Sequence, residues 1–184
     1  MLMRETALKI KLFGDITLRK KAGPVKYIQQ IHRDILNEMA RLMQEGSGIG
    51  LAAPQVGINE QMIVANIGTG LYKLINPKII KKYGRQVMEE GCLSIPAVCI
   101  KVKRAKKVLV AAQDEFARPL TVEAEDLLAC VLQHEIDHLH GRLIVDYASF
   151  FEKLKIKKKL KELKKRVKDE DLSESKTESC KLQL

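Results

Sequence analysis

Hydrophobic and polar positions along the chain follow two different periods, which predict where helices and strands lie. Across residues 24–45 the apolar side chains recur every three or four positions, at Val25, Ile28, Ile31, Ile35, Met39 and Leu42. This spacing forms one apolar stripe and is typical of an amphipathic helix. Pro24 suits a first turn and Gly46 begins a glycine-rich stretch, so we predict a helix over residues 24–45.

After Gly57 the pattern changes to short apolar or alternating runs, which predict strands. The runs cover residues 62–65, 72–75, 79–80, 98–102 and 108–112. A second helix is predicted from near Glu123 to Gly141, and a third from near Ser149. Because helices and strands are segregated along the chain, we predict an α+β fold, with antiparallel β-sheets around a central helix and a basic C-terminal helix.

Composition and charge add a basic segment and an acidic tail to this picture. The length of 184 residues fits one domain, and a hydrophobic fraction of 46% supports a packed core. Of the net charge of +10, most lies in residues 152–168, which hold ten Lys or Arg and two Glu. Residues 169–184 hold five acidic residues and two lysines, and their polar composition predicts a disordered acidic tail.

The sequence also bears on the compartment. No apolar run is long enough to cross a bilayer, so we expect no membrane span. Residues 1–10 lack the continuous apolar segment of a secretory signal. We therefore expect a cytoplasmic protein, with an organellar location left open.

The sequence His134-Glu135-Ile136-Asp137-His138 has the spacing of a metal-binding helix. Residues four apart lie on one helical face, so both imidazoles can reach one ion. Glu135, beside the first of them, can act as a general base toward a water activated there. Taken alone, the motif also fits a charged surface helix with two solvated histidines.

A catalytic site of this kind needs a third protein ligand, and Cys92 is the candidate. It follows Gly91, which permits close approach of the backbone. A thiolate there would complete a Cys, His, His site on the central helix. The alternative is a buried structural cysteine, which is the commoner role of a lone Cys.

Three segments, in this order, together resemble peptide deformylases. They are Gly-Ile-Gly-Leu-Ala-Ala-Pro-Gln at residues 48–55, Glu-Gly-Cys-Leu-Ser at 90–94, and His-Glu-Ile-Asp-His-Leu-His-Gly at 134–141. The resemblance extends over residues 5–150. It implies a metal-dependent hydrolase that removes the N-formyl group from the leading methionine of nascent polypeptides and releases formate.

The resemblance also implies a role for each residue of the motifs. Cys92, His134 and His138 would hold one metal ion per chain. That ion would be Fe(II) in the cell, with Zn(II) or another divalent metal able to occupy the same site. Glu135 would take the proton of the attacking water and pass it to the departing amine.

Substrate contacts follow from the same resemblance. The Gln55 side chain and the Leu93 backbone N–H would stabilise the negative charge that develops on the formyl oxygen. The pocket for the methionine side chain would be lined by Ile49, Gly50, Cys130 and Val131.

For some other residues the role is left open or no catalytic role is predicted. Cys99 stands where many family members carry an arginine that faces the substrate backbone, and Lys101 or Lys103 are candidates to replace it. His140 lies two residues past the second histidine of the motif and is turned away from the ligand face, so we expect a solvated or capping role. We expect His32 to be exposed.

We predict three parts of the chain: a catalytic domain at residues 1–150, a basic amphipathic helix at 151–168 and the acidic tail at 169–184. The helix fits four roles: contact with ribosomal RNA, an anionic membrane, a calmodulin-like partner, or simple docking of its apolar side chains on the core. Because bacterial deformylases work where nascent chains emerge, we hypothesise that residues 152–168 bind the ribosome near the exit tunnel.

Two other functions remain as alternatives at this point. A different metal-dependent amidase or a small metallopeptidase also fits the histidine motif, but most such peptidases take a third ligand downstream, where His140 is too close to serve. A non-enzymatic RNA-binding protein with a structural zinc would need a fourth ligand, and Cys99 is the only nearby candidate.

Overall fold

The computed structural model of the protein describes residues 8–168. Three α-helices and seven strands lie within these residues. The helices are α1 (Gln30–Glu45), α2 (Asp126–Leu139) and α3 (Phe150–Lys168); the strands are β1 (Gly50–Ala52), β2 (Met62–Ala65), β3 (Tyr72–Tyr83), β4 (Gln86–Glu90), β5 (Ile100–Arg104), β6 (Lys107–Gln113) and β7 (Pro119–Glu125). Every pair of neighbouring strands is antiparallel, which confirms the predicted α+β class.

Two sheets surround α2. One has five strands in the order β1-β2-β3-β6-β7, and the other consists of β4 and β5. Eleven residues of α2 are buried, and the helix packs in one core cluster with side chains of the larger sheet such as Val108, Val110 and Ile63. A helix that is buried on most of its faces belongs in the core of the domain, and α2 is therefore the predicted central helix.

The first helix begins later than predicted, at Gln30 instead of Pro24. The preceding segment is kept out of the helix by a partner that is distant in sequence. The side chain of Asn76 accepts a hydrogen bond from the Val25 N–H at 2.8 Å and donates one to the Val25 carbonyl at 2.9 Å. Because both backbone groups of Val25 are used in this way, they are not available to a helical turn.

Two histidines outside the metal motif have structural positions. His32 is buried, so the expectation of exposure was wrong; its Nδ1 accepts the N–H of Gln29 at 2.9 Å at the start of α1. His140 is the C-terminal cap of α2, with Nδ1 at 2.8 Å from the Ile136 carbonyl oxygen, which confirms the capping role. Gly141 follows with φ of +70°, as expected of a glycine just past a helix end.

The strands β1, β4 and β7 were not predicted from the sequence. The second helix begins at Asp126 instead of near Glu123. The last residues of β7 mix acidic and apolar side chains, and the prediction placed them in the helix. Its partner strand explains the difference: Lys107 on β6 forms ion pairs with both Glu123 and Glu125. Predicted strands 72–75 and 79–80 are one strand, β3, whose pairing with β6 shifts register within it.

The basic helix α3 is attached to the domain through apolar side chains from Ile156 onward. Leu163 is buried in a second core cluster, which Leu160 joins as a partly buried neighbour. Phe150 and Phe151 are 71% and 73% exposed, so the alternative in which the apolar side chains of this helix dock on the core holds for Leu163 but not for these two residues. The acidic tail at 169–184 lies outside the described residues.

Within residues 8–168 the structure has no helix with the length and apolar character required to cross a membrane.

Candidate metal centre

The two histidines of the motif lie on one face of α2, as their spacing predicts. Their Nε2 atoms are 3.1 Å apart. Cys92 Sγ lies 3.4 Å from His138 Nε2, and the three ligand atoms all lie within 4.8 Å of one another. The structure therefore brings together the three residues predicted to bind a metal, all of them buried.

Cys92 reaches this position from a tight turn that follows β4. The Ile95 N–H closes the turn by donating to the Cys92 carbonyl at 2.8 Å. Burial, together with the negative charge of Glu135, raises the pKa of the Cys92 thiol to about 12. A thiolate there consequently needs a nearby cation, and metal binding at this cysteine releases a proton.

The chemistry of the donor set fits a divalent transition metal. Burial and the neighbouring His134 lower the pKa of His138 well below its ordinary value, so its imidazole is neutral and offers a lone pair. The Nδ1 atom of His138 is buried and has no hydrogen-bond partner among the described residues. Two imidazoles and a thiolate whose ligand atoms lie this close together suit zinc or ferrous iron.

Glu135 lies in the same buried region, and its charge is unpartnered. Both carboxylate oxygens are inaccessible and accept no hydrogen bond from the described residues. Burial, and secondly the charge of Glu90, raise the pKa of Glu135 well above its ordinary value. A buried polar group without a partner costs stability, so its retention points to chemistry.

Gly50 on β1 makes room for this carboxylate. A Cβ atom at Gly50 would collide with Glu135 Oε1 and would lie 2.9 Å from Val131 Cγ1. The backbone of β1 therefore packs directly on α2 beside the carboxylate, and only glycine permits the approach.

Gln55 and Leu93 also converge on the cluster. The wholly buried Gln55 accepts the Ala52 N–H through Oε1 at 2.7 Å, while its Nε2 donates to Ser94 Oγ at 3.2 Å and lies 3.5 Å from Cys92 Sγ. The Leu93 side chain packs against the glycine-rich loop, since a Cβ at Gly48 would be 2.8 Å from Leu93 Cδ1. The first two motifs are thus in contact.

The four residues predicted for the methionine pocket lie on two neighbouring elements. Ile49 is half-buried directly before β1, and Gly50 begins that strand. Cys130 and Val131 are fully buried on α2. The Cys130 thiol donates to Glu90 Oε1 at 3.0 Å, a contact that the sequence did not indicate.

A buried ion pair beside the site was missed at the sequence level. Arg104 donates to both carboxylate oxygens of Glu90, at 2.7 and 2.9 Å, and Glu90 Oε2 lies 3.0 Å from His134 Nδ1. Although burial alone would raise the pKa of Glu90, the hydrogen bonds from Arg104 and His134 hold that pKa to about 2. The pair fixes the orientation of one candidate ligand.

A signal for this pair is present in β5. The strand alternates buried and exposed positions, and Arg104 lies on the same buried face of the strand as Ile100 and Val102. A charged residue on the inward face of a strand requires a buried partner.

Comparison with known proteins identifies the family. The family described as polypeptide deformylase matches residues 7–154. A peptide deformylase of Thermoanaerobacter pseudethanolicus is 46% identical over 154 residues, which are 84% of this chain and 97% of the relative. One of Syntrophomonas wolfei is 52% identical over 131 residues, 71% of this chain and 86% of the relative.

The crystal structure of a peptide deformylase from Legionella pneumophila superposes with a TM-score of 0.82 at 38% identity, covering 89% of this chain and 98% of that one. The chain therefore belongs to the polypeptide deformylase family, the metal-dependent hydrolases that remove the N-formyl group from nascent polypeptides.

Proposed function

We propose that Cys92, His134 and His138 hold one divalent metal ion per chain and that Glu135 is the proton-transfer group of formamide hydrolysis. The observation that carries this proposal is the convergence of the three ligand atoms within 4.8 Å in a buried cluster. Such an ion, when bound, polarises the formyl carbonyl and makes a water molecule nucleophilic near neutral pH.

The residues around the cluster transfer the proton and stabilise the developing negative charge. Glu135 takes a proton from the attacking water and delivers it to the departing amine nitrogen. The Gln55 side chain and the Leu93 backbone N–H donate to the formyl oxygen as negative charge develops on it. Donors in such positions contribute about 3–4 kcal/mol each to transition-state stabilisation. Burial of the cluster excludes bulk water, which strengthens each of these interactions.

In this proposal Ile49, Gly50, Cys130 and Val131 line the pocket for the methionine side chain of the substrate. Their burial and apolar character support this assignment. Of the candidates for contact with the peptide beyond methionine, Lys101 and Lys103 are exposed on β5 and are accessible to an extended chain.

The ion in the cell is Fe(II) in this proposal. The thiolate and imidazole donors accept both iron and zinc, and zinc binds such sites more tightly. A ferrous ion with a thiolate ligand is sensitive to oxygen, so the protein should be purified anaerobically.

Substrate selectivity tests the proposed function. We expect formate release from formyl-Met-Ala-Ser and no comparable hydrolysis of acetyl-Met-Ala-Ser, because the cluster is buried and the β1 backbone at Gly50 packs directly against Glu135, which disfavours the larger acyl group. Equal rates on the two peptides would indicate a general amidase. Hydrolysis of neither peptide in the presence of iron or zinc would contradict the proposal.

We also propose that residues 152–168 form a ribosome-binding segment, attached to a catalytic domain at 1–150, and that the protein works in the cytoplasm where nascent chains emerge. The charge of this helix supports the idea, since most of its lysines are exposed. Binding to ribosomal RNA releases counterions, so it should weaken steeply with salt.

Charge removal on α3 tests the ribosome proposal better than truncation, because Leu163 anchors the helix in the core. We expect Lys157→Gln, Lys158→Gln and Lys161→Gln in combination to reduce co-sedimentation with ribosomes by about tenfold or more at physiological salt. The matched control makes the same lysine-to-glutamine change at three exposed lysines outside α3, namely Lys20, Lys21 and Lys26. Equal binding of both triple variants and the parent would refute the assignment.

A further inference from the structure

Tyr147 lies just beyond α2 and contacts the ion pair beside the metal cluster. Its hydroxyl donates to Asp137 Oδ2 at 2.7 Å, and its ring lies 4.9 Å from the Arg104 guanidinium carbon. The residue is 38% exposed, so it does not belong to the core of the domain.

A continuous series of contacts leads from this tyrosine to a candidate metal ligand. Asp137 accepts a hydrogen bond from Arg104 Nη1, and Arg104 donates through Nε and Nη2 to Glu90. Glu90 in turn lies 3.0 Å from His134 Nδ1. Four separate elements meet here: β4, β5, α2 and the turn after α2.

The turn itself is fixed, which makes Tyr147 a rigid support. Arg19 donates to both carboxylate oxygens of Asp146, at 2.6 and 3.0 Å, and the Leu143 N–H donates to Asp146 Oδ2 at 2.9 Å. The tyrosine that follows is therefore held in place by its backbone, independently of its own side-chain contacts.

Arg104 has five N–H donors around the edge of its planar guanidinium group and can adopt other pairings if it is not confined. The Arg104 guanidinium carbon lies over the Tyr147 ring, and the Tyr147 hydroxyl donates to the carboxylate of Asp137. An aromatic ring over a desolvated guanidinium stabilises it further.

We propose that Tyr147 is a positioning residue that confines Arg104 between Asp137 and Glu90 and thereby sets the orientation of the His134 imidazole toward the metal. This inference rests on the proposed role of His134 as a ligand. Partners of a metal-bound histidine typically change metal affinity by 10–100-fold when they are lost.

Metal affinity, measured by chelator competition with Zn(II), tests the proposal on two variants. Tyr147→Phe removes the hydroxyl and keeps the ring, and we expect a two- to tenfold weaker affinity, the equivalent of one hydrogen bond. Tyr147→Leu removes both contacts, and we expect at least tenfold. The Co(II)-substituted variants should also show shifted visible absorption bands, since the ligand geometry changes.

The matched controls are Tyr83→Phe and Tyr83→Leu, at a tyrosine that is 51% exposed at the end of β3. They should keep the affinity and the Co(II) spectrum of the parent. Lowered thermal stability of the Tyr147 variants with unchanged Zn(II) affinity and spectrum would overturn the proposal. If the leucine variant does not fold, the phenylalanine variant decides. A parent protein that binds no Zn(II) would contradict the metal site itself, a separate result.

Discussion

Replacement of Glu135 with glutamine is expected to lower the rate of formate release by about 10²–10⁴-fold, the usual contribution of a general acid–base group. The change removes the carboxylate and keeps its shape. The three proposed ligands are untouched, so the variant should still bind one metal ion per chain, measured by elemental analysis. It should also unfold at a temperature equal to or above that of the parent, because an unpartnered buried carboxylate is replaced by a neutral group.

The control for this variant is Glu89→Gln, which makes the same chemical change at an exposed position of β4. Its rate should equal that of the parent. A Glu135→Gln protein that keeps its metal and the parental rate would show that proton transfer uses another group.

Replacement of Glu90 with glutamine is expected to destabilise the protein by about 3–5 kcal/mol, because it removes the buried carboxylate that holds Arg104 through two hydrogen bonds and leaves that charge only its partly exposed partner, Asp137. Arg104 is only 7% exposed, so solvent cannot compensate for the lost partner. The melting temperature should fall by roughly 10 °C for a chain of this size. Metal affinity should weaken as well, by about 10–100-fold, since Glu90 also orients His134.

The stability that Glu90 contributes depends on pH, and the direction of this dependence follows from its pKa. Glu90 has a folded pKa of about 2, below its ordinary value of 4.5. Its stabilising contribution is therefore fully present above about pH 4.5 and is lost as the pH falls toward 2. Denaturant unfolding of the parent and the variant at several pH values should show the difference shrinking over this range.

An exposed ion pair supplies the control for Glu90. Glu123→Gln removes one partner of Lys107 at the surface, where solvent screens the charges and the pair contributes little to stability. If Glu90→Gln were no more destabilising than Glu123→Gln, the buried network would have no special role in the fold.

The predictable part of the site is the part set by local geometry. His134 and His138 share a helical face because they are four residues apart, and this holds in any helix. Cys92 could be named as a candidate third ligand, but the choice between a ligand and a buried structural cysteine rested on the resemblance to a family, since nothing local indicates that the turn after β4 meets α2.

The unpredicted part depends on contacts between distant segments. The start of α1 was misplaced because Asn76, from a strand much later in the chain, occupies both backbone groups of Val25. The link from Glu90 to Arg104 and Tyr147 likewise forms only when the β4–β5 hairpin packs on α2 and the turn after it. Periodicity reports which face of an element is buried, but it does not identify the partner across the interface.

Formate release from formyl-Met-Ala-Ser before and after metal removal tests the central claim most directly. The protein is purified anaerobically, stripped with a chelator, and reloaded separately with Fe(II) or Zn(II). We predict that the stripped protein is inactive and that activity returns in proportion to bound metal, up to one ion per chain, while Cys92→Ser neither binds the ion tightly nor recovers. Equal rates in the stripped and reloaded protein would contradict the assignment of this cluster as the metal centre of the reaction.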